Sequence, residues 1–296
     1  MFFLDKIHDN FLVDFRDMHG IIEMKYMEKR NFECPIQVLD GNRYLVRSTG
    51  EVCEFDKSGT NRVDSYKSLY RTFKQLRYLI NNNFVGAQNE LFVTLTYGGE
   101  NRPLIFDGAE RFYADFKIFM KALRRKYGRI EFINVVEPHE DGHLHAHVLL
   151  KFFDYDSIFI SNNEFTRVFW RHGFVKISKL EGVTNIGAYL SAYLSDVEVS
   201  DSAVHDCLNN GEKIEVKEVD GKRYIKGGRL KYYPKKFRIY RRSRGIVLPD
   251  VYLGLAGDFK EKSGLLGGCP DFSKSYSVVL GDFTNKIIYE HFNLRG

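Results

Sequence analysis

No stretch of about 18 consecutive apolar residues occurs in the sequence, which leaves no candidate for a membrane-spanning helix of ordinary length. The amino terminus, where Asp5, His8 and Asp9 interrupt a short apolar stretch, does not have the pattern of a signal peptide. Cysteine is scarce: Cys34, Cys53, Cys207 and Cys269 are widely scattered and form no zinc-type pair. A reduced, cytoplasmic setting is therefore expected. There is no Gly-x-x-x-x-Gly-Lys-Ser/Thr loop, so nucleoside triphosphate hydrolysis is not expected. Neither a repeat at solenoid periods nor a low-complexity linker divides the chain. Large net charge is missing too. At +5 and a pI near 8.8 the chain is only mildly basic, and the distribution of charge matters more than its sum.

What is present is a row of histidines at every second position, in Gly142-His143-Leu144-His145-Ala146-His147-Val148-Leu149-Leu150. On a β-strand side chains alternate faces, so His143, His145 and His147 stand on one side while Leu144, Ala146 and Val148 pack on the other. Upstream, Glu131 to Glu137 reads as a strand and Pro138-His139-Glu140-Asp141-Gly142 as a hairpin turn. An odd number of loop residues sets Glu137 opposite His145 or His143 on the same face, and an even number points it away. His139 and His172 read as loop or helix-end histidines.

Downstream, Thr184 or Asn185 can cap a helix in which Tyr189 and Tyr193 are i and i+4 neighbours, with Ile186, Leu190 and Leu194 on the packing side. The tract from Gly221 to Arg244 contains no acidic residue. Its Lys222, Arg223, Arg229, Lys231, Lys235, Lys236, Arg238, Arg241 and Arg242 can neutralise phosphates, and Tyr232, Tyr233, Phe237 and Tyr240 can stack on unpaired bases. Asp220-Gly221 suits a hairpin between Ile214–Lys217 and Arg223–Ile225. Between the strands at 91–97 and 131–137, residues 106–127 show helical periodicity through Phe112, Phe116, Phe119, Met120 and Leu123, with a basic outer face. A short helix around Asn163–Arg171 and a strand at Phe174–Ser178 follow. Residues 1–60 read as short strands and turns. The helix near Ser65–Asn82, apolar at Leu69, Phe73, Leu76 and Ile80, is either an arm that grips duplex DNA or a packing element for the central sheet.

Three of these segments, in order, resemble the HUH endonucleases, and within them the rolling-circle replication initiators of small plasmids and phages. They are the strand Leu91-Phe92-Val93-Thr94-Leu95-Thr96-Tyr97, the His145-Ala146-His147 strand, and the helix with Tyr189 and Tyr193. The resemblance spans roughly residues 90 to 197. It implies Glu137, His145 and His147 as ligands of a divalent metal, Mg²⁺ or Mn²⁺, and Tyr189 and Tyr193 as nucleophiles. Many relatives carry Lys three residues after these tyrosines, where this chain has Ala192 and Asp196.

The expected architecture is α+β: a split βαβ, ferredoxin- or RRM-like antiparallel sheet with helices on one face and the other face open to metal and DNA. An N-terminal extension (1–86), a catalytic domain (87–198) and a basic, aromatic C-terminal extension (199–296) complete the expected division. The resemblance implies nicking and rejoining of single-stranded origin DNA, with duplex origin DNA, host helicase and polymerase as partners, because the chain lacks its own ATPase loop. A relaxase or single-strand transposase, and a non-catalytic origin-binding regulator, are the alternatives; a metal hydrolase of small molecules ranks behind them.

Overall fold

The computed structural model describes residues 6–30, 36–47, 50–55, 66–100, 102–105, 108–138, 142–180, 186–187, 197–199, 216–219, 222–225, 233, 237–280 and 283–295. The chain divides into two compact units, Met1–Gly59 with Pro249–Gly296, and Thr60–Leu248. The first unit begins with β1 (Leu12–Met18), β2 (Ile21–Met27), β3 (Ile36–Leu39), β4 (Arg43–Val46) and β5 (Glu51–Glu54). The second holds α1 (Tyr66–Asn83), β6 (Glu90–Thr96), α2 (Ala109–Tyr127), β7 (Ile130–Pro138), β8 (Leu144–Phe152), α3 (Asn162–Glu164) and β9 (Val175–Lys179). It continues with β10 (Val197–Val199), β11 (Val216–Val219), β12 (Lys222–Ile225) and β13 (Tyr240–Arg242). The chain then returns to the first unit with β14 (Tyr252–Leu255), α4 (Ala256–Lys262), β15 (Phe272–Leu280) and β16 (Phe283–Asn293). This is an α+β fold built on antiparallel sheets.

In the first unit, β14-β1-β2-β16-β15 form one sheet and β3-β4-β5 another. The β1–β2 connection is a two-residue turn, with His19 at φ 55° and Gly20 at φ 91°, the left-handed pair that matches the twist of a tight hairpin. Val13, Phe15, Ile22, Met24, Ile288 and Phe292 form its core with Ala256 of α4.

In the second unit the main sheet runs β13-β7-β8-β6-β9, each strand antiparallel to its neighbours. Because β8 lies antiparallel between β6 and β7, those two strands run in the same direction. One face is apolar at Leu91, Val93 and Leu95 of β6, Val136 of β7, and Ala146, Val148 and Leu150 of β8. Against it α2 lays the stripe Phe112, Phe116, Phe119, Met120 and Leu123, each fully buried side chain contributing about 1.5–3 kcal/mol. The helix after β8 is shorter than its periodicity suggests: α3 passes into a π-helical turn at Phe165–Phe169, which buries both phenylalanines and brings Trp170 N–H onto Phe165 O at 2.8 Å.

The other face is not open along its whole length, which corrects the expectation of helices on one side only. Leu76, Leu79, Ile80 and Phe84 of α1 form a second core with Ile133, Val135 and Leu149 of that face. Apolar side chains alternate onto both faces at this end of the strands, and each face needs a cover. The connection from α1 into β6 is fixed by Glu90, whose Oε2 accepts the amides of Val85, Gly86 and Ala87 at 2.9–3.2 Å while Lys151 Nζ meets its Oε1 at 3.0 Å. Of the readings open for the helix at 65–82, packing against the sheet is the one the structure contains. The boundaries expected at 86/87 and 198/199 both fall inside this second unit.

Candidate metal centre

The β7–β8 hairpin pairs Glu137 with His145 and Val135 with His147. Five residues separate the paired ends Pro138 and Leu144, the odd spacing that keeps the carboxylate on the histidine face. On the other side of β8, Thr96 pairs with His145 and Thr94 with His147. Two cross-strand rows result, Thr96–His145–Glu137 and Thr94–His147–Val135, beyond the part of the face that α1 covers.

In these rows Glu137, His145 and His147 each offer a ligand atom, and the three atoms lie within 4.8 Å of one another. His147 Nε2 is 2.6 Å and His145 Nε2 3.2 Å from Glu137 Oε2. The Glu137 side chain is 0% exposed and that of His147 3%. Burial of a carboxylate is costly unless it is paired or ligates a cation, and here both its neighbours are imidazoles with nitrogen turned toward it. Burial, and secondarily the adjacent His145, push the pKa of His147 well below the ordinary histidine value. The ring is held neutral, the form that can ligate. Phe92 stacks on it at 5.5 Å and 15°.

The expected row of three histidines narrows to two in the cluster. His143 lies before β8 in an isolated bridge with Leu104. His172, read as a helix-end histidine, contacts Asp115 Oδ1 at 3.5 Å and the rings of Trp170 and Tyr97.

One contributor escaped the sequence reading. Thr94 Oγ1 lies 3.1 Å from His147 Nδ1, so the hydroxyl fixes the ring plane and can accept Nδ1–H when Nε2 donates its lone pair to a cation. The signal was there in the period-two spacing of Thr94 and Thr96, which puts both hydroxyls on the histidine face.

The basic tract is distributed differently from its expected role as one surface. Tyr233, expected to stack on bases, is 0% exposed and donates its hydroxyl to Val136 O at 3.1 Å. It packs in the α1 core because its ring completes that layer, so it has no free face for a base. Residues 240–242 become the edge strand beside the Glu137 strand, with Tyr240 paired to Val135, Arg241 to Asn134 and Arg242 to Ile133. Just before it, Val136 N–H donates to Ile239 O at 2.9 Å, which sets exposed Arg238 beside the end of β7. Arg241 turns to the α2 side, its guanidinium 3.2 Å from the Tyr113 ring centre. Arg242 Nη1 donates to Ile246 O. A cavity of about 580 Å³ is lined by Thr72 of α1 with Arg238, Tyr240, Arg242 and Arg244 among others. Lys222 and Arg223 lie on β12, which pairs with β11 across residues 220 and 221, as the hairpin reading required. Tyr189, Tyr193, Arg229, Lys231, Lys235 and Lys236, with His139, Ala192 and Asp196, lie outside the described residues.

Residues 90–198 match the model of the replication-associated protein ORF2 family. That segment contains Thr94, Glu137, His145, His147, Tyr189 and Tyr193. Among curated proteins no match is found. Among the described residues no helix is long and apolar enough to cross a membrane. The segment match and the buried Glu/His/His cluster together support a general HUH-type nuclease activity.

Proposed function

We propose that this chain is a metal-dependent nickase and strand transferase of the HUH type that starts rolling-circle replication of a plasmid or phage-like element, acting on single-stranded origin DNA. The observation that carries the reading is the convergence of Glu137, His145 and His147 on one spot of a sheet face inside the segment that matches the replication-associated family. The strand order β9-β6-β8-β7, with β6 and β7 codirectional, fits the split βαβ arrangement of such a catalytic domain.

Glu137, His145 and His147 would hold Mg²⁺ or Mn²⁺, and a divalent ion held there supplies Lewis-acid charge next to a scissile phosphate. His147 is kept neutral by burial and oriented by Thr94, so its lone pair is available across the neutral pH range. Tyr189 or Tyr193 is the nucleophile: its phenolate oxygen bonds to phosphorus as the P–O3′ bond breaks, and the 3′ oxygen leaves as a hydroxyl after taking a proton. The phosphotyrosyl link preserves the energy of the broken diester, so a later 3′-hydroxyl can rejoin the strand without ATP. Ile186 and Gly187 support the delivery of these tyrosines to the right side of the sheet. Ile186 is buried in the α1 core, and Gly187 N–H donates to Asn81 Oδ1 of α1 at 2.8 Å. A Cβ at Gly187 would meet that oxygen at 2.6 Å and Arg77 O at 2.7 Å. Tyr189 follows two residues later, on a chain anchored to the helix that covers the histidine face.

Arg238 and the cavity beside it supply positive charge along the Glu137 strand, where a DNA backbone must pass. Unwinding and synthesis then fall to a host helicase and polymerase. The test is incubation with a labelled single-stranded origin oligonucleotide and Mn²⁺, followed by a denaturing gel and peptide mapping. A covalent adduct at Tyr189 or Tyr193 is expected, absent in His147→Ala and in the double Tyr189→Phe/Tyr193→Phe variant. An adduct formed by the double variant rejects the tyrosines, and retained DNA with no adduct in the unaltered chain makes the protein an origin-binding regulator.

A further inference from the structure

The row of side chains that contains the candidate metal ligands does not stop at Thr96. Leu95 pairs with Val175 of β9, and the next rung brings Phe174 beside Thr96, whose N–H donates to Phe174 O at 2.9 Å. Val175 is buried in the α2 core. By alternation Phe174 and Lys176 face the other way, onto the histidine side of the sheet. Lys176 pairs with Thr94, the residue that orients His147. The row therefore reads Phe174–Thr96–His145–Glu137, with Phe174 two interstrand spacings, about 10 Å, from His145.

The Phe174 ring is 76% exposed, yet the backbone beneath it is held tightly. Gly98 N–H donates to His172 O at 2.9 Å and Trp170 Nε1 to Thr96 O at 3.1 Å. Gly173 lies so close to β6 that a Cβ would stand 2.3 Å from Thr96 O and 2.4 Å from Gly98 N. Only glycine permits that approach, and it sets the following side chain at the rim of the site. An exposed aromatic on a fixed backbone loses little freedom on binding a partner, and the cation two residues on, facing the same way, suits a phosphate. A flat ring with an adjacent ammonium is the chemistry that recognises an unpaired base and its backbone.

We propose that Phe174 is the stacking platform for an unpaired base next to the phosphate held at the Glu137–His145–His147 site, with Lys176 contacting the neighbouring phosphate. The proposal rests on the nuclease reading above, because it assigns the strand that the same site would cut. Phe159 provides an internal control: it is 84% exposed, but it lies between Ile158 and Ile160, which are buried in the α2 core away from the histidine face.

The experiment measures binding of a mixed-sequence single-stranded oligodeoxynucleotide to the full chain by fluorescence anisotropy. Phe174→Ala and Phe174→Leu are each expected to weaken binding about five-fold or more, with Phe174→Tyr close to the unaltered protein and Phe159→Ala without effect. In Phe174→Trp the new indole emission should be quenched by the oligonucleotide; the native Trp170 is 0% exposed and supplies the background. Because the altered side chain is solvent-exposed, thermal melting of each variant should match that of the parent. If the parent binds and Phe174→Ala and Phe174→Leu bind equally well, with no quenching in Phe174→Trp, the platform is refuted while the nuclease reading stands. An equal loss in Phe159→Ala also refutes it. If the parent chain binds no single strand, the nuclease reading fails and the platform falls with it.

Discussion

The chemistry of the site turns on how one imidazole is held. His147 has Glu137 Oε2 at one nitrogen and Thr94 Oγ1 at the other, 2.6 and 3.1 Å away. Without a cation, Nε2–H donates to the carboxylate and Nδ1 accepts the threonine hydroxyl; with one, the proton must sit on Nδ1 and Thr94 must accept it. A hydroxyl serves both tautomers because it both donates and accepts. Thr94→Val keeps the shape and removes that partner. It should weaken Mn²⁺ binding about 10–100-fold by calorimetry, with little change in unfolding midpoint; unchanged affinity would remove Thr94 from the site. The depressed pKa of His147 also has a consequence for stability. The folded ring titrates well below 6.5 and the unfolded ring near 6.5, so between those values the unfolded state binds a proton that the folded state does not. The stability from keeping this ring neutral is complete above about pH 6.5 and is lost as pH falls toward the folded value, at up to about 1.4 kcal/mol per pH unit. Metal-free protein unfolded in urea at a series of pH values should show this slope on top of that of His147→Gln. Parallel curves for the two proteins would contradict it. His145 and Glu137 face the same ring, so the comparison is made against that one variant rather than read from the parent alone.

At the scale of elements, alternation and register carried most of the information. Histidines every second residue name the strand face, and the odd loop between Pro138 and Leu144 puts Glu137 on it, which is why this part of the site could be read from sequence alone. The α2 stripe was equally readable, since five apolar positions at helical spacing leave one face to bury. Periodicity does not say which surface a helix covers, however. The stripe Leu76, Leu79, Ile80 of α1 is plain in the sequence, but its docking on Ile133, Val135 and Leu149 depends on strand pairing that no local pattern encodes. The same limit explains Tyr233, which sits in a basic tract and reads as surface, yet is recruited into the core that α1 forms. The docking of α1 rests on the Glu90 carboxylate at the entry to β6, which accepts three amides and pairs with Lys151. Glu90→Gln keeps the volume but removes the charge, and should destabilise the protein by about 2–3 kcal/mol in denaturant unfolding. Mn²⁺ affinity should hardly change, because the ligands lie at the opposite end of these strands. An unchanged midpoint would mean that the loop is fixed by other contacts.

At the scale of the whole chain, contiguous stretches of sequence are a poor guide to what folds together. β14 pairs with β1, and β16 with β2, so the two ends of the chain build one unit around partners far apart in sequence, and no composition shift marks it. The other unit, Thr60–Leu248, contains α1, the main sheet, Thr94, Glu137, His145 and His147. A fragment of residues 60–248 is therefore expected to unfold cooperatively and to bind Mn²⁺ within about two-fold of the full chain by calorimetry. A fragment that starts at residue 87, where a reading of the sequence by motif places the catalytic domain, lacks α1. It would expose the sheet surface that Leu76, Leu79, Ile80 and Phe84 cover. At about 1.5–3 kcal/mol for each of those side chains, their loss is about 6–12 kcal/mol as an upper bound, comparable to the whole stability of a typical domain. The shorter fragment should accordingly be unfolded or aggregated at room temperature and fail to bind the metal, although it retains every proposed ligand. If instead it folds and binds Mn²⁺ as tightly as residues 60–248, then α1 is an appendage, and the histidine face is stable without its cover.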